Sequence, residues 1–499
     1  MSIESLPEEI LLDIFTYLDS APPSELKVRQ EPSQQLTVCN QHAFKDVSRV
    51  SKQWRRLILP LLFRHTRLLL DRAPLSHWSK CPACTEAALH WRLQIGAALP
   101  CPGPMDQYHL DMLEDIATTS TRLDSPGQMT MTALRNNPFS LGPRRESSQE
   151  NYLKWAPRFY HSLLDFLDFL QNQKLISNVQ SFVLMTEKML PEKLDRFPHL
   201  AGANKDWRYK AAAAFWQHLF SAINPERVVI LAPPTDLACL TNCAIDTFGD
   251  WAFGDMDYHI LDLRVKASDS TRLPERLGQP VQYSTLQYMP HRYPGLAGSS
   301  LLNLRPWFSI SVNEGAFLKA YGTYEYFERG PPSLIYSIKD SLSPRPIFSP
   351  HARISDVPLA SLRRLTYTGI FPFANHLDFG ELLPQLEELD MQLAPELSSN
   401  ILSHPRRVGK AQLEDCWSEL VSVYQGLAGL LATFRISERN VPRLKKFVCR
   451  DSQIPALLDE LDEIFMPLCL PVWAECEPGV FTRLTASADG YDGAVDANW

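Results

Sequence analysis

Short apolar runs of the kind that forms β-strands recur along most of the chain, and helix-like stretches precede the first of them. YHSLLDFLDFLQ at 160–171 comes before VQSFVLM at 179–185, and DWRYKAAAAFWQHLFSAI at 206–223 comes before ERVVIL at 226–231. Later runs begin at 258, 284, 307, 362, 386 and 444. Helices that alternate with strands in this way build α/β units. We therefore expect an α/β fold for the larger part of the chain.

The spacing of these runs favours leucine-rich repeats. In the middle of the chain their starts lie roughly 20 to 30 residues apart, which is the length of one such repeat. LASLRRLTY at 359–367 and LPQLEELDM at 383–391 are closest to the L-x-x-L-x-L strand of the repeat. No regular Asn or Cys position follows them, so the repeat is degenerate, and an unrelated α/β body with similar runs is the alternative. The pattern predicts an irregular, leucine-rich-repeat-like horseshoe over residues 151–484, with one strand per repeat in a concave sheet.

A long amphipathic helix near the end of this region completes the prediction. LEDCWSELVSVYQGLAGLLATF at 413–434 is expected to pack on the convex face or to cap the solenoid. Its apolar side consists of Leu413, Trp417, Leu420, Tyr424, Leu427 and Leu431. Residues 71–150 are predicted to be a loop-rich connector, and residues 485–499, rich in Asp, Gly and Ala, a disordered tail.

Residues 1–70 have a different pattern, that of a small all-α module. Ser5 and Glu8 have the spacing of a capping box, and Pro7 falls in the first turn, where proline is tolerated. Apolar residues then recur at helical spacing, and a polar stretch at about 20–40 is predicted to be a mobile surface loop. HAFKDVSRVSKQWRRLIL at 42–59 predicts a second helix that ends or kinks at Pro60.

Two segments of this module resemble the F-box motif. They are LPEEILLDIFTYL at 6–18 and VSRVSKQWRRLILPLLFRH at 47–65, with an LP start and a VS-x-x-W signature. The ending PLLFRHTRLLL is similar to that of F-box proteins of filamentous fungi, and the connection between the segments is longer than the family's usual one. The resemblance implies that the chain docks on the Skp adaptor of a cullin-RING ubiquitin ligase. The positions that it implies for adaptor docking and its supporting core are Leu6, Pro7, Ile10, Ile14, Phe15, Leu18, Val50, Trp54, Leu57, Pro60 and Leu61.

Composition narrows the choice of partners and compartment. A formal net charge of -8 over 499 residues argues against a nucleic-acid binder, whose footprint is basic. The N-terminus lacks the pattern of a signal peptide, and no apolar run of about 18 residues could span a bilayer. We therefore expect a cytoplasmic or nuclear protein without membrane contact, in which the ten cysteines are reduced.

Signals for catalysis are weak. The chain has no phosphate-binding G-x-x-x-x-G-K-[ST] loop, no strand-linked G-x-G-x-x-G, no G-x-S-x-G elbow and no H-E-x-x-H helix. Cys81 and Cys84, flanked by His77 and His90, have half of the pattern of a zinc site, but a loop that precedes a helix explains them more simply. We expect no cofactor, no metal and no catalytic residue.

The densest aromatic stretch lies at 307–336 and is open to two interpretations. Its aromatic residues are Trp307, Phe308, Phe317, Tyr321, Tyr324, Tyr326, Phe327 and Tyr336. Such residues fill cores, but they also anchor interfaces when they line an open surface. Core packing is the simpler interpretation, and this stretch is the best candidate for a target-binding surface.

These observations predict a substrate-recognition subunit of an SCF-type ubiquitin ligase, in which the F-box binds a Skp adaptor and the C-terminal body binds an unknown protein substrate. An F-box scaffold that acts outside a ubiquitin ligase is the alternative, and an enzyme with an unrecognised site is a third possibility. Co-purification of a cullin would distinguish the first from the second.

Overall fold

The computed structural model describes most of the α/β body and most of the N-terminal module. The described residues are 6–38, 43–70, 155–186, 212, 215–241, 243, 256, 258–266, 301–322, 331, 333–342, 359–433, 443–469 and 472–484. The predicted connector at 71–150, the Cys81 and Cys84 pair and the predicted tail at 485–499 lie outside them.

The body is a mixed α/β structure built on one open sheet of ten strands. The strands are β1 His65–Leu70, β2 Ser181–Thr186, β3 Arg227–Ala232, β4 His259–Val265, β5 Trp307–Ala316, β6 Arg364–Ile370, β7 Glu388–Gln392, β8 Lys446–Cys449, β9 Trp473–Glu477 and β10 Val480–Arg483. β1 to β8 lie side by side in chain order, and β10 and then β9 complete the sheet. β4 runs antiparallel to both of its neighbours, while β1 to β3 and β5 to β8 are parallel among themselves.

Helices cover one face of this sheet. Helices of the body lie at Trp155–Asn172, 215–222, Pro234–Thr241, Leu301–Leu304, Ile335–Leu342, Pro405–Val408, Leu413–Thr433 and Pro455–Cys469. The main core lies between helices and sheet, where Leu167 and Leu420 belong to the same apolar cluster as Leu184 and Leu389. Alternation along each strand turns every second side chain toward these helices, so the intervening side chains face the other way.

Most of the strands agree with the apolar runs in the sequence. The runs at 179, 226, 258, 307, 362, 386 and 444 coincide with β2 to β8, and the run at 284–289 lies outside the described residues. β1, β9 and β10 were not predicted. In β9, WAECE, two glutamates interrupt the apolar residues, so no apolar run marks it. β1 directly follows a helix, and its sequence was assigned to the end of the helical module.

The N-terminal helices differ from the prediction in three respects. The first helix, Glu8–Thr16, begins after Pro7 without a side-chain cap, and Glu8 pairs with Arg56 rather than completing a capping box. The predicted second helix is two helices, Ala43–Val47 and Lys52–Leu62, because the Ser51 hydroxyl accepts a hydrogen bond from the Trp54 backbone N–H and starts a new helix there. Pro60 lies inside the last turn and does not end the helix.

The largest departure concerns residues 22–38, which were predicted to be a mobile surface loop. This segment, here called the strap, contains the short helices Pro23–Leu26 and Gln34–Thr37 and lies across the sheet face that the helices leave uncovered. Val28 and Leu36 are buried there in one apolar cluster with residues of β2, β3 and β4, namely Val183, Met185, Val229, Leu231 and Ile260. The strap therefore fills a second, smaller core on the opposite side of the sheet from the helices.

Polar contacts attach the strap along its length. The Asn313 side chain donates hydrogen bonds to the backbone carbonyls of Val28 and Gln30, at 2.9 and 2.8 Å. The Arg227 guanidinium donates to the Ser24 carbonyl at 2.9 Å. Because these bonds satisfy backbone carbonyls, the strap can lie on the sheet without unpaired polar groups at those positions.

The strap offers a matched pair of leucines for measuring how firmly it packs. Leu36 is 2% exposed and Leu26 is 67% exposed. We expect Leu36→Ala to lower the free energy of unfolding by about 2 to 4 kcal/mol, since it leaves a cavity, and Leu26→Ala to change it by less than about 0.5 kcal/mol. Urea unfolding followed by tryptophan fluorescence measures both. Equal, small effects of the two substitutions would show that the strap does not pack on the sheet.

Candidate functional sites

The first candidate site is an apolar row on the first helix. Ile10, Ile14 and Leu18 are 46%, 38% and 40% exposed, and Pro7 is exposed beside them. Ile10 and Ile14 lie one turn apart on one side of the helix, Pro7 directly precedes the helix, and Leu18 lies in the turn that follows it. Single exposed apolar residues are common, but a row of them marks an interaction surface.

The remaining residues implied by the F-box resemblance fall into two groups. Phe15 and Leu57 are buried in a small core with Leu11 and Ile58. Trp54 lies edge-on to Phe15 with ring centroids 5.2 Å apart. Leu6, Trp54 and Leu61 pack partly buried against this core, and Pro60 is half-buried. Phe15 and Leu57 thus support the module, whereas the apolar row can meet a partner.

Val50 differs from the other positions. It lies in the turn between the two short helices and is 58% exposed. The predicted second helix is therefore interrupted at Val50. Val50 is nevertheless available at the surface.

The second candidate site is the polar part of the open sheet face. On β5 to β8 the strand register aligns three rows of side chains that alternate with the core-facing residues. The rows are Ser309, Arg364, Glu388 and Lys446; Ser311, Thr366, Asp390 and Val448; and Asn313, Thr368 and Gln392. Only one of these side chains, Val448, is apolar, in contrast to the strap-covered cluster on β2 to β4.

On this face the cationic side chains are more exposed to solvent than the carboxylates with which they pair. Asp390 is bound by two guanidiniums, of Arg29 from the strap and of Arg450, each through paired contacts of 2.8 to 3.3 Å. Its side chain is 9% exposed, against 32% and 34% for the two arginines. Burial raises the pKa of Asp390, and the Arg29 charge opposes that rise. The arrangement turns N–H donors rather than carboxylate oxygens toward solvent.

A cavity of about 370 Å³ opens next to these residues, at the carboxyl ends of β5, β6 and β7. Asn313, Thr368 and Gln392 line it from the sheet, and residues 29–31 of the strap line it from one side. Residues 395–401 and the segment with His404 and Arg407 form the remaining walls. The carboxyl ends of parallel strands are a common location for ligand sites in α/β proteins.

The polar side chains that line the sheet side of this cavity differ in how many hydrogen bonds they form. The Asn313 amide is fully engaged, with the strap and with the Gly315 backbone N–H. Thr368 is 3% exposed, and its hydroxyl forms no hydrogen bond with any described residue. The Gln392 amide reaches only the Ala394 carbonyl, at 3.5 Å. Because Thr368 lines the cavity, its hydroxyl is available to a polar ligand there.

Asp451 holds the start of the cavity wall in place. One of its carboxylate oxygens accepts hydrogen bonds from the backbone N–H groups of Leu393 and Ala394, at 2.7 and 3.0 Å, and from the Tyr424 hydroxyl at 2.5 Å. Burial raises the pKa of Asp451 from 3.8 to about 7, although these hydrogen bonds work against the rise. Asp451 thereby ties the end of β7 to the long helix Leu413–Thr433.

This pKa predicts a pH dependence of stability. The folded chain keeps the Asp451 proton up to about pH 7, whereas the unfolded chain loses it near 3.8. The contribution of the protonated carboxyl is therefore complete below about pH 4 and is lost as the pH rises to about 7. Asp451→Asn cannot ionise, so we expect the stability of the variant relative to wild type to increase between about pH 5 and about pH 8.

Urea unfolding at both pH values measures this change. Asp378→Asn is the matched control, because a backbone N–H of Gly380 and the Lys339 ammonium lower the pKa of Asp378. That group is ionised in both states over this range, so its difference from wild type should stay constant. If the Asp451 and Asp378 variants show the same dependence, Asp451 is not protonated in the fold.

A second cluster of titratable groups is closed to solvent. Glu314, Tyr367 and His376 are all fully buried. Glu314 accepts hydrogen bonds from the Ser333 hydroxyl at 2.7 Å and the Tyr367 hydroxyl at 2.8 Å, and the His376 ring lies 3.4 Å away. Burial alone would raise the pKa of Glu314, but His376 holds it below its usual value. Sequence spacing gave no sign of this cluster, which joins the sheet to the helix Ile335–Leu342.

The aromatic stretch at 307–336 contributes to the core where it is described. Trp307 and Phe317 are at most 1% exposed and Tyr321 is 6% exposed, all in the main cluster. Tyr324, Tyr326 and Phe327 lie outside the described residues. For these three residues the interpretation as a target-binding surface is therefore wrong, whereas Phe308 and Tyr336 are only partly buried. The predicted apolar side of the long helix is buried at Leu420, Tyr424, Leu427 and Leu431, with Trp417 partly buried, but Leu413 at its start is exposed.

The described part of the chain lacks both a membrane-spanning helix and a cluster of metal-ligating side chains. None of its helices combines the length and the apolarity that crossing a bilayer requires. Within the same residues, no three His, Cys, Asp or Glu side chains are grouped as metal ligands.

The chain was also compared with known proteins. No protein-family model, no curated protein and no solved structure matches it.

Proposed function

We propose that the chain is the substrate-recognition subunit of an SCF-type ubiquitin ligase, which binds a Skp adaptor through its N-terminal helices and a target protein through its α/β body. The observation that carries the proposal is the apolar row of Pro7, Ile10, Ile14 and Leu18, which is exposed while its neighbours Leu11 and Phe15 are buried. These exposed positions are those that the F-box resemblance assigns to adaptor docking or its supporting core.

The architecture of the body supports the receptor half of the proposal. β1 to β8 follow each other in the sheet in chain order, as strands of successive repeats do. The core between sheet and helices lies on one side, which leaves the other face for the strap and the polar rows. We interpret this body as an irregular leucine-rich-repeat-like horseshoe in which the pairings of β4 and of the final strands β9 and β10 depart from the parallel arrangement.

The mechanism that follows requires no reaction on this chain. A subunit that binds the ligase at one surface and a target at another raises the effective concentration of the target near the ubiquitin-carrying enzyme. The strap is well placed for this role, since it begins soon after the first helix and is bonded to β3, β5 and β7 of the body. It would hold the two binding surfaces in a fixed relation.

Adaptor binding provides the direct test. We expect the double substitution Ile10→Asp and Ile14→Asp to abolish retention of the chain by an immobilised Skp adaptor, because it places two charges in an interface that must become dry. Both side chains are more than a third exposed, at 46% and 38%, so the fold should tolerate the change. A pulldown with purified full-length protein measures retention, and circular dichroism checks the fold.

Leu397→Asp is the matched control, because Leu397 is 75% exposed on a loop of the body. Trp54 is unsuitable, since it packs on Phe15 and its loss would disturb the small core. Retention of the double variant at the wild-type level would remove the basis for adaptor docking through this row. Recovery of a cullin with the wild-type chain and adaptor separates a ubiquitin ligase subunit from a scaffold that uses the adaptor alone.

A further inference from the structure

We infer that the polar rows of β6 to β8, together with the cavity beside them, bind an extended acidic segment of a target protein. The inference rests on the receptor half of the proposed function and adds the chemistry of the bound segment. Three observations favour an acidic peptide as the occupant: the charge of the strip, the way in which the strap binds this face, and the available Thr368 hydroxyl.

The first reason is charge. The strip formed by Arg29, Arg364, Lys446 and Arg450 above Glu388 and Asp390 carries four cations and two anions, a net charge of +2, in a chain whose net charge is -8. The cavity adds Arg407, Glu31 and Glu396, so the strip and the cavity together carry a net charge of +1. Exposure increases the contrast, because Arg364 and Lys446 are 57% and 44% exposed while Glu388 is 28% exposed. Partners approach a surface whose accessible atoms are mainly cationic donors, and complementary charge favours acidic ones.

The second reason is that the strap already shows how this face holds an extended chain. The Asn313 amide donates to the carbonyls of Val28 and Gln30, two residues apart, while the Arg29 side chain meets Asp390 two strands away. Gln392 lies in the same row as Asn313, with Thr368 between them, and its amide is weakly engaged. A target segment that crosses β6 to β8 could use Gln392 and Thr368 for its backbone as the strap uses Asn313.

The third reason is the Thr368 hydroxyl itself. Thr368 lines the cavity, and its hydroxyl has no partner among the described residues. The hydroxyl is therefore available to a ligand in the cavity. A bound peptide would satisfy it.

A nucleic acid is the less favourable occupant. Its binding sites neutralise many phosphates, whereas this strip has a net charge of only +2 and includes two carboxylates. The two classes of ligand give opposite results in the experiment that follows.

Fluorescence anisotropy with the purified full-length chain tests the inference without the adaptor. The probe is a labelled, amidated peptide of about ten residues with alternating Glu and Ser, long enough to cross strands about 4.8 Å apart. The comparison ligands are the same peptide with Gln in place of Glu and a labelled single-stranded DNA oligonucleotide. We expect the Glu peptide to bind about tenfold more tightly than the Gln peptide and to weaken as salt is added.

Adjacent residues provide matched variants. Lys446→Glu should weaken binding of the Glu peptide by about fivefold, whereas Lys445→Glu, the same change on the neighbouring residue whose side chain pairs with Glu387, should not. Thr368→Val should weaken binding about threefold without loss of stability, while Thr366→Val, one row away and outside the cavity, should leave affinity unchanged.

Three results would overturn the inference: equal affinity for the Glu and Gln peptides, equal effects of the two lysine variants, or tighter binding of the oligonucleotide. Peptide binding and adaptor retention are measured separately on the same chain. Loss of adaptor docking with intact peptide binding would therefore contradict the proposed ligase role alone, and the reverse result would contradict the peptide site alone.

Discussion

The contact between Arg29 and Asp390 holds together parts of the molecule that are 361 residues apart in the chain. A carboxylate as buried as Asp390 loses its hydration, and only close, hydrogen-bonded cations can offset that cost. Arg450 supplies one of them from the body and Arg29 supplies the other from the strap. Without the strap, Asp390 would keep a single partner at the centre of the polar face. Arg29 also lines the cavity, so the path of the strap and the shape of the cavity both depend on this arrangement.

The N-terminal module and the body therefore do not behave as independent units joined by a linker. β1 follows the helix Lys52–Leu62 directly and is an edge strand of the sheet, and Phe63 contacts Phe169 of a body helix, with ring centroids 5.2 Å apart. Asp19, just after the first helix, pairs with Arg64 at 2.7 Å. Together with the strap, these contacts attach the apolar row to the sheet through several routes. For a protein that acts by bringing two partners together, such attachment fixes the distance over which they meet.

Local sequence patterns predicted the body well because its strands are apolar on the side that packs against the helices. WFSISV, LRRLTY and LEELDM each mark a strand in this way. The strap had no such mark: its buried residues Val28 and Leu36 are set among Pro, Gln and Ser, which is the composition of a loop. Polar contacts with Asn313, Arg227 and Asp390 hold the strap in place. These three residues come near one another only through the strand register, which local sequence patterns do not predict. The cavity escaped prediction for the same reason, since Asn313, Thr368 and Gln392 become neighbours only when three strands align.

The division of the open sheet face follows from the residues themselves. On β2 to β4 the outward positions include Val183, Val229 and Ile260. Exposure of such an apolar surface to water costs free energy, and the strap shields it. On β5 to β8 the outward positions are mostly polar: the row with Arg364, Glu388 and Lys446 stays in contact with water, whereas Asp390, Thr368 and Gln392 are buried. An open polar face is therefore not in itself a sign of function. What distinguishes this one is that its cations are more exposed than its carboxylates and that Thr368 lines a cavity. The Asp390 pairs already serve the fold by anchoring the strap, so Arg364 and Lys446 are the charges that an acidic segment would meet first.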